Sequence, residues 1–174
     1  GHPLPLTGFY INEDVYIGVF KETKNSNPSY DSSNQYIHFY NISEEGKLSH
    51  VFSDLIPDIK DIRLSDQINL YTVKNKLYIT VKISKQFKVE RHTSTPYGLT
   101  NFCSQGKGTL LIEYNKTTLA RTQYKIYEDL EINTIKSTEV GAIAASNITN
   151  DCIDRSPIAL LKIHEDLSYT PIYQ

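Results

Sequence analysis

Two histidines stand where the chain could bring imidazoles together. His38 and His50 fall on two alternating segments separated by a turn at Glu44–Lys47, so a hairpin would place them within cross-strand reach. Imidazole nitrogens are common zinc ligands, but a stable zinc site needs a third or fourth ligand, and none lies at a diagnostic spacing. We therefore expect no metal and no other cofactor.

Nucleophilic or acid-base catalysis would require a more specific set of residues. No Gly-x-Ser-x-Gly elbow occurs. Asp58 with Asp61, and Glu128 with Asp129, lie beside predicted turns, where solvated or helix-end charges are the simpler interpretation. The Gly106–Thr109 run lacks the spacing of a phosphate loop and is interpreted as a turn. The sequence predicts a protein that is not an enzyme, with a hydrolase or a hydrolase inhibitor as the remaining alternative.

The two cysteines, Cys103 and Cys152, lie in turn-rich segments without Cys-x-x-Cys spacing. An even count in such surroundings favours one disulfide, formed in an oxidising compartment, over a metal site. The alternative is a pair of unpaired cytosolic thiols. The bridge would close a loop of roughly 50 residues and constrain the unfolded chain by about 4 kcal/mol.

Tyrosine is the most over-represented aromatic residue, with 13 Tyr against 6 Phe and no Trp. Its ring offers a large apolar surface with a polar end and little side-chain entropy to lose, so it is common on contact surfaces. It is equally common in ordinary strands. Tyr30 and Tyr97 lie beside prolines in predicted loops and are the best candidates for exposed contacts, and Tyr114 and Tyr124 are further candidate binding residues on predicted strands.

Charge and composition exclude some partners. The chain has 18 basic and 20 acidic side chains, a net charge of -2 and no basic cluster, so the field that attracts phosphate backbones is missing and nucleic acid is not an expected partner. No apolar run reaches the roughly 18 to 20 residues of a membrane helix. Methionine is absent, and we interpret Gly1-His2 as a tag scar ahead of a mature or trimmed region, from which a signal peptide or lipid anchor could have been removed.

The elements that must position these residues are strands. In Leu77–Ile83 the odd positions are aliphatic and the even ones wettable, which is the period of a half-buried strand. The pattern recurs from Val15 to Tyr173 and predicts an all-β antiparallel domain. Gln35–Asp54 and Thr109–Tyr127 are predicted hairpins, the second turning at Asn115–Lys116. Further tight turns are predicted at Lys74–Lys76 and Glu165–Asp166, and Pro171 predicts an edge strand at Tyr169–Tyr173. In the second hairpin, the expected inward residues are Leu110, Ile112 and Tyr114, facing Ala120, Tyr124 and Ile126.

Two segments depart from the strand pattern. Ser53–Leu64 carries apolar residues at near-helical spacing, with Pro57 in a first turn, and predicts a short helix. Val140–Asn150, rich in Ala and Ser, is interpreted as a short helix or a loop. We divide the chain into an extended lead-in over residues 1–13 and a single β domain over residues 14–174.

Eight to ten short strands must close or cover their sheet edges. An antiparallel up-and-down β-barrel and a β-sandwich both do so. Sequential hairpins with loops of unequal length favour the barrel, with the sandwich as the alternative. No internal sequence repeat is visible, which disfavours propellers and solenoids.

Part of the chain resembles a known family. The aromatic strand Tyr36–Tyr40, an acidic-Gly turn, the strand Gly108–Tyr114 and the strand ending Tyr124–Tyr127 are similar to small exported bacterial lipocalin-like (calycin-type) lipoproteins. The resemblance covers about half the chain and implies a barrel in an exported protein. The chain has no Trp, and Thr7–Tyr10 stands where a Gly-x-Trp is expected in lipocalins.

Together these observations predict a binding or accessory domain. We expect it to be exported, either periplasmic, associated with the bacterial outer membrane, or secreted, and to contact a protein or another envelope component through loops and strand edges. The alternative is a carrier that holds a small apolar ligand in a barrel interior lined by residues such as Leu110, Ile112 and Tyr124.

Overall fold

The computed structural model describes residues 7–12, 15–23, 35–56, 62–85, 107–149 and 158–173. These residues form twelve β-strands and no helix. None of their elements is a helix long and apolar enough to cross a membrane. The strands are β1 (Thr7–Asn12), β2 (Val15–Thr23), β3 (Gln35–Ile42), β4 (Leu48–Leu55), β5 (Ile62–Val73), β6 (Lys76–Lys85), β7 (Lys107–Asn115), β8 (Arg121–Tyr127), β9 (Leu130–Thr138), β10 (Gly141–Ile148), β11 (Ile158–Ile163) and β12 (Tyr169–Tyr173).

The strands pair into three four-stranded antiparallel sheets. The first sheet holds β1 to β4, the middle sheet β5 to β8 and the third sheet β9 to β12, each with its strands in chain order. Alternating segments joined by turns pair most readily with their neighbours in sequence, and the result is a meander. The prediction of an all-β antiparallel fold is confirmed, but none of the three sheets is closed into a barrel.

The middle sheet carries a hydrophobic core on each face. On β7, Leu110, Ile112 and Tyr114 belong to a core shared with the first sheet, and Leu111 belongs to a core shared with the third sheet; all four are 0% exposed. A strand covered on both faces cannot show clean alternation. The first core includes Ile37, Phe39, Ile56, Leu64, Ile68, Leu77, Ile79, Val81 and Ile83. The second includes Tyr78, Tyr127, Leu130, Ile132, Ile135, Ala142, Ala144, Ala159, Leu161, Ile163 and Leu167.

Polar contacts reinforce the interface between the middle and third sheets. Lys82 pairs with Glu131 at 2.8 Å. The Thr109 hydroxyl donates to the carbonyl of Leu130 at 3.0 Å and accepts the N–H of Ile132 at 2.9 Å. Because the buried Thr109 hydroxyl and the partly buried Lys82–Glu131 pair are satisfied across the interface, these contacts fix the position of one sheet on the other.

The first strands of the sheets take part in the contacts between sheets, and β9 also contacts β7. β5 contacts both β1 and β9, so the first strands of the three sheets lie next to one another. The same meander occurs three times, starting at Thr7, Ile62 and Leu130. The connections between strands differ in length from one sheet to the next, so the starts are unevenly spaced. The structure thus repeats although no repeat is visible in the sequence.

Most of the predicted turns are confirmed. Turns occur at Glu44–Lys47, at Lys74–Asn75 and at Glu165–Asp166, and Gly46 and Lys74 adopt the positive φ values of 80° and 54°. The turn after β7 is longer than expected, since β8 begins at Arg121. There the Asn115 side chain accepts the N–H groups of Thr117 and Thr118 at 2.9 and 3.0 Å. Register follows the prediction for Leu110 with Ile126 and Ile112 with Tyr124, but a bulge pairs Tyr114 with Arg121 instead of Ala120.

The structure corrects both helical interpretations. β4 continues through Leu55 and β5 begins at Ile62, so the described parts of Ser53–Leu64 hold no helix; residues 57–61 lie outside the described ranges. The near-helical spacing there spans the end of one strand and the start of another. Val140–Asn150 contains β10, whose small residues Ala142, Ala144 and Ser146 alternate into the core.

The lead-in, the Gly106–Thr109 run and Pro171 are three further segments with a predicted structure. Thr7–Asn12, within the expected lead-in, is β1 and pairs with β2 from Thr7↔Val19 to Asn12↔Val15. The turn expected at Gly106–Thr109 is wrong from Lys107 onward, where β7 begins; a side chain on Gly108 would collide with the carbonyl oxygen of Tyr127. Pro171 lies on β12, which is an edge strand as predicted.

Candidate functional site

A cleft of about 420 Å³ lies between the middle and third sheets, at the end where their tight turns meet. We call it the turn-end cleft. Its walls come from the end of β5 and the β5–β6 turn, two residues of β6, the β9–β10 turn with the start of β10, and the end of β11 with its turn into β12. The lining residues are Val73–Lys76, Val140–Ala142, Lys162–Glu165 and Tyr78.

Lys76 brings two unequal carboxylates together at this cleft. Its ammonium nitrogen lies 3.5 Å from Oε2 of Glu113 and 2.5 Å from Oε2 of Glu165. The side chain of Glu113 is 6% exposed, whereas that of Glu165 is 92% exposed. One carboxylate is therefore part of the protein interior, and the other reaches the ammonium from solvent.

Glu113 is fixed by neighbours on β8. The Thr122 hydroxyl donates to its Oε1 at 2.7 Å, and the Gln123 amide donates to its Oε2 at 3.1 Å. A buried carboxylate is tolerated when both oxygens are hydrogen-bonded and a cation is near. The Gln123 amide also donates to the backbone carbonyl of Glu165 at 2.6 Å, which anchors the β11–β12 turn over the site.

The pKa directions agree with this arrangement. Burial lowers the pKa of Lys76, but the hydrogen bond to Glu165 and the charges of Glu113 and Glu165 outweigh it, so the pKa lies above its ordinary value. The hydrogen bond from Lys76 holds the pKa of Glu165 below its ordinary value. Burial, with the charge of Glu113, raises the pKa of Tyr78. Near neutral pH Lys76 is therefore an ammonium, Glu165 a carboxylate and Tyr78 a neutral phenol.

The predicted histidine pair forms a second cluster, on the outer face of the first sheet. The ring centroids of His38 and His50 are 6.0 Å apart, so the predicted approach is confirmed. Ser53 Oγ lies 2.7 Å from Nδ1 of His38 and 2.6 Å from Nε2 of His50. A hydroxyl has one proton and two lone pairs, so Ser53 can donate to at most one imidazole, and the tautomer of each ring decides which nitrogen donates to Ser53. In the described ranges, no group of three or more His, Cys, Asp or Glu side chains is placed to hold a metal.

Aromatic rings extend this second cluster along β3. Tyr36 stacks on His38 with centroids 6.0 Å apart, and Tyr40 meets His50 edge-on at 5.4 Å. All of these side chains share the face of the first sheet that points away from the first core. The face is amphipathic, with rings and polar atoms together.

The four candidate tyrosines have separate places. Tyr114 is 0% exposed, and its hydroxyl donates to Asp54 Oδ2 at 2.7 Å; burial is the main cause that raises its pKa. Tyr124 is 46% exposed, with the Arg121 guanidinium 5.8 Å from its ring centroid. The remaining predicted residues lie outside the described ranges: Tyr30, Tyr97, Cys103, Cys152, Asp58 and Asp61.

The turn-end cleft was not predicted from the sequence. The sequence predicts a turn at Lys76, and Glu113 is one wettable residue among alternating ones. The strand register supplies the signal, because Tyr78 pairs with Glu113 and Lys76 lies two residues away on the same face of β6. The carboxylates at the Glu128–Asp129 bend lie at the β8–β9 connection.

A comparison of the chain with protein-family models, with curated proteins and with solved structures finds no match. Any functional assignment therefore depends on the geometry of the sites themselves.

Proposed function

We propose that this chain is a non-enzymatic binding domain and that the turn-end cleft holds an acidic group of a partner protein. The proposal depends on one observation, the unequal carboxylates around Lys76. Glu113 is buried and hydrogen-bonded on both oxygens, while Glu165 reaches the same ammonium with a side chain that is 92% exposed. Glu165 thus occupies the place that a carboxylate of a partner would take.

Exchange of Glu165 for a partner carboxylate needs little reorganisation. Lys76 keeps its buried partner Glu113 throughout, so no charge is left unpaired in the interior. The positive charge of Lys74 also acts on the carboxylate at this position, so an incoming acid meets two ammonium groups. Val140 and Ile163 line the same cleft and offer apolar contact to the atoms that carry the acid.

The proposed setting is an exported, envelope-associated protein. Support comes from the proposed disulfide, which an oxidising compartment allows. The Thr149 hydroxyl donates to the carbonyl of Lys107 at 2.7 Å, so the two segments that lead to the cysteines start close together. Cys103 precedes Lys107 by four residues and Cys152 follows Thr149 by three, and segments this short can bring two sulfurs into bonding distance. A Cys103–Cys152 bridge would crosslink the middle and third sheets.

For the finer architecture, the proposal is three stacked sheets that fan out from their first strands, closer to a sandwich than to a barrel. The two cores on opposite faces of the middle sheet support stacking, and the contacts of β5 with β1 and β9 support the common edge. Such a stack presents its tight turns at one end, which is where the cleft lies.

The alternative function, carriage of a small apolar ligand in a barrel interior, has less support. Leu110 and Ile112 pack inside the first core, and their cross-strand neighbour Tyr124 is 46% exposed. The three residues proposed to line an interior pocket are therefore divided between a packed core and the surface.

The test uses glutarate as a probe that mimics an acidic side chain. Titration of the ¹⁵N-labelled protein should shift the backbone amide signals of Lys74–Lys76 and Val140–Ala142 in a saturable way. Lys76→Gln should abolish these shifts. Lys47→Gln removes the same charge from the β3–β4 turn of the first sheet and should leave them unchanged. Equal responses in the two variants, or no saturable shift in the wild type, would overturn the assignment.

A further inference from the structure

Val140 is an apolar residue at the tip of a tight turn. It lies in the two-residue connection between β9 and β10, and its side chain is 63% exposed. Among the described residues, the other large apolar side chains that are exposed all lie on strands. Turns are usually built from Gly, Pro, Asn, Asp and Ser, whereas stiff β-branched side chains favour strands. Val140 thus departs from the local preference of its position, as residues at functional sites often do.

Apolar residues in two other connections have a structural role. Leu119, between β7 and β8, is 6% exposed and packs into the first core. Leu167, between β11 and β12, is 0% exposed and packs into the second core. Each leucine holds its connection against the sheets. Val140 belongs to neither core and lines the turn-end cleft instead.

The turn-end cleft places this valine opposite two ammonium groups. Lys74 and Lys76 line the cleft from the middle sheet, whereas Val140 lines it from the third sheet. Ala142 and Ile163, both buried, extend the apolar surface on the third-sheet side. A cleft of about 420 Å³ is within the range of pockets that hold small ligands, so it admits a short stretch of chain rather than a folded domain.

We infer that the partner segment is extended and carries a branched aliphatic residue directly beside its acidic residue. The inference rests on the proposed function, because the acid is the group that takes the place of Glu165 at Lys76. Successive side chains of an extended chain point to opposite sides, so an acid that reaches the middle sheet directs its neighbour toward Val140. Charge complementarity positions the segment, and burial of the aliphatic side chain against Val140 adds affinity.

Isothermal titration with blocked pentapeptides tests the inference. The peptide Ala-Val-Glu-Val-Ala should bind at least about threefold tighter than Ala-Ala-Glu-Ala-Ala, because it buries a larger apolar side chain beside the acid. The isomer Val-Ala-Glu-Ala-Val has the same composition, but in an extended chain its valines point to the same side as the acid. The isomer should therefore bind no tighter than the alanine peptide. Replacement of Glu by Gln in the first peptide should abolish binding.

Three variants assign the preference to one side chain. Val140→Ser should reduce the affinity ratio of the valine and alanine peptides to about one, while the affinity for the alanine peptide stays unchanged. Val140→Ile keeps a branched aliphatic side chain and should preserve the ratio. Ile158→Ser removes a side chain of similar exposure, 68%, from the end of β11 that lies away from the cleft, and should also preserve it. Circular dichroism spectra matching the wild type ensure that each variant is folded.

Failure of this inference can be told apart from failure of the proposed function. If neither glutarate nor any peptide with Glu binds, the proposed function is wrong and the inference falls with it. If glutarate and the alanine peptide bind, but the valine peptide binds no tighter or the isomer binds equally well, only the inference is overturned. Hexanoate that binds more tightly than the valine peptide would indicate a free aliphatic acid as the occupant and also overturns it.

Discussion

The hydroxyl of Tyr114 donates a 2.7 Å hydrogen bond to Asp54 across the interface between the middle and first sheets. The Arg121 side-chain Nε lies 3.7 Å from the same carboxylate oxygen. Asp54 pairs with Ile37 on the inward face of the first sheet, so this polar contact sits at the border of the first core. It fixes how the two sheets are placed on each other.

Removal of that hydroxyl should destabilise the protein. Tyr114→Phe keeps the ring against Phe39, whose centroid is 5.1 Å away, but leaves a half-buried carboxylate oxygen without its donor. We expect a loss of about 1 to 3 kcal/mol in the free energy of unfolding, measured by urea denaturation. Tyr124→Phe changes an exposed phenol and should stay within about 0.5 kcal/mol. Equal losses of unfolding free energy in both variants would mean that the hydrogen bond from Tyr114 to Asp54 does not stabilise the protein.

Gly108 should be harder to replace than Gly46. A Cβ at this position would collide with the backbone carbonyl of Tyr127, which cannot move without breaking the β7–β8 pairing. Gly108→Ala should cost about 1 to 3 kcal/mol in thermal or urea unfolding. Gly46→Ala meets no atom within 4 Å but has a φ of 80°, and it should cost about 1 kcal/mol or less. A smaller cost at Gly108 than at Gly46 would contradict the packing described here.

The ion pair between Lys76 and Glu165 should give a defined pH window. The lowered pKa of Glu165 means that its contribution is present above the ordinary value of 4.5 and is lost as pH falls through the lowered value. The raised pKa of Lys76 means that the contribution is present below 10.5 and is lost as pH rises through the raised value. The Tm difference between the wild type and Glu165→Gln should therefore be small, constant near neutral pH, and vanish at both extremes. A difference that persists in strong acid would exclude this ion pair as its source.

The cysteines offer a test of the exported setting. We expect no thiol to react with a maleimide probe under denaturing, non-reducing conditions, and two to react after reduction. The short distances along the chain from Cys103 to Lys107 and from Thr149 to Cys152, with the anchors hydrogen-bonded, make the bridge sterically accessible. Two reactive thiols before reduction would remove the main support for export.

Local sequence patterns predicted local structure well. The hairpins, the turn at Lys74–Asn75 and the approach of His38 to His50 all depend on pairing between segments adjacent in the chain, for which alternation and turn residues are sufficient. The prediction of a helix over Ser53–Leu64 is wrong because the segment is not one local unit. Its apolar spacing belongs to two strands that serve different sheets, β4 and β5.

The cleft could not be predicted from local patterns. Lys76 and Glu113 come together because β6 pairs with β7 across the long connection between Lys85 and Lys107, and Glu165 joins them from a different sheet. Each residue alone has the pattern of a solvated strand or turn position. Only the register and the packing of two sheets turn the three into one site.

The affinity of glutarate for the wild type and for Glu165→Gln tests the central claim most directly. Substitution removes the carboxylate that occupies Lys76 but leaves the carbonyl of residue 165 to accept the Gln123 amide, so the turn keeps its anchor. Isothermal titration near neutral pH should show tighter binding to Glu165→Gln than to the wild type, because the ligand no longer competes with an internal carboxylate. Unchanged or weaker binding to the variant would contradict the claim that Glu165 stands in for the acidic group of a partner.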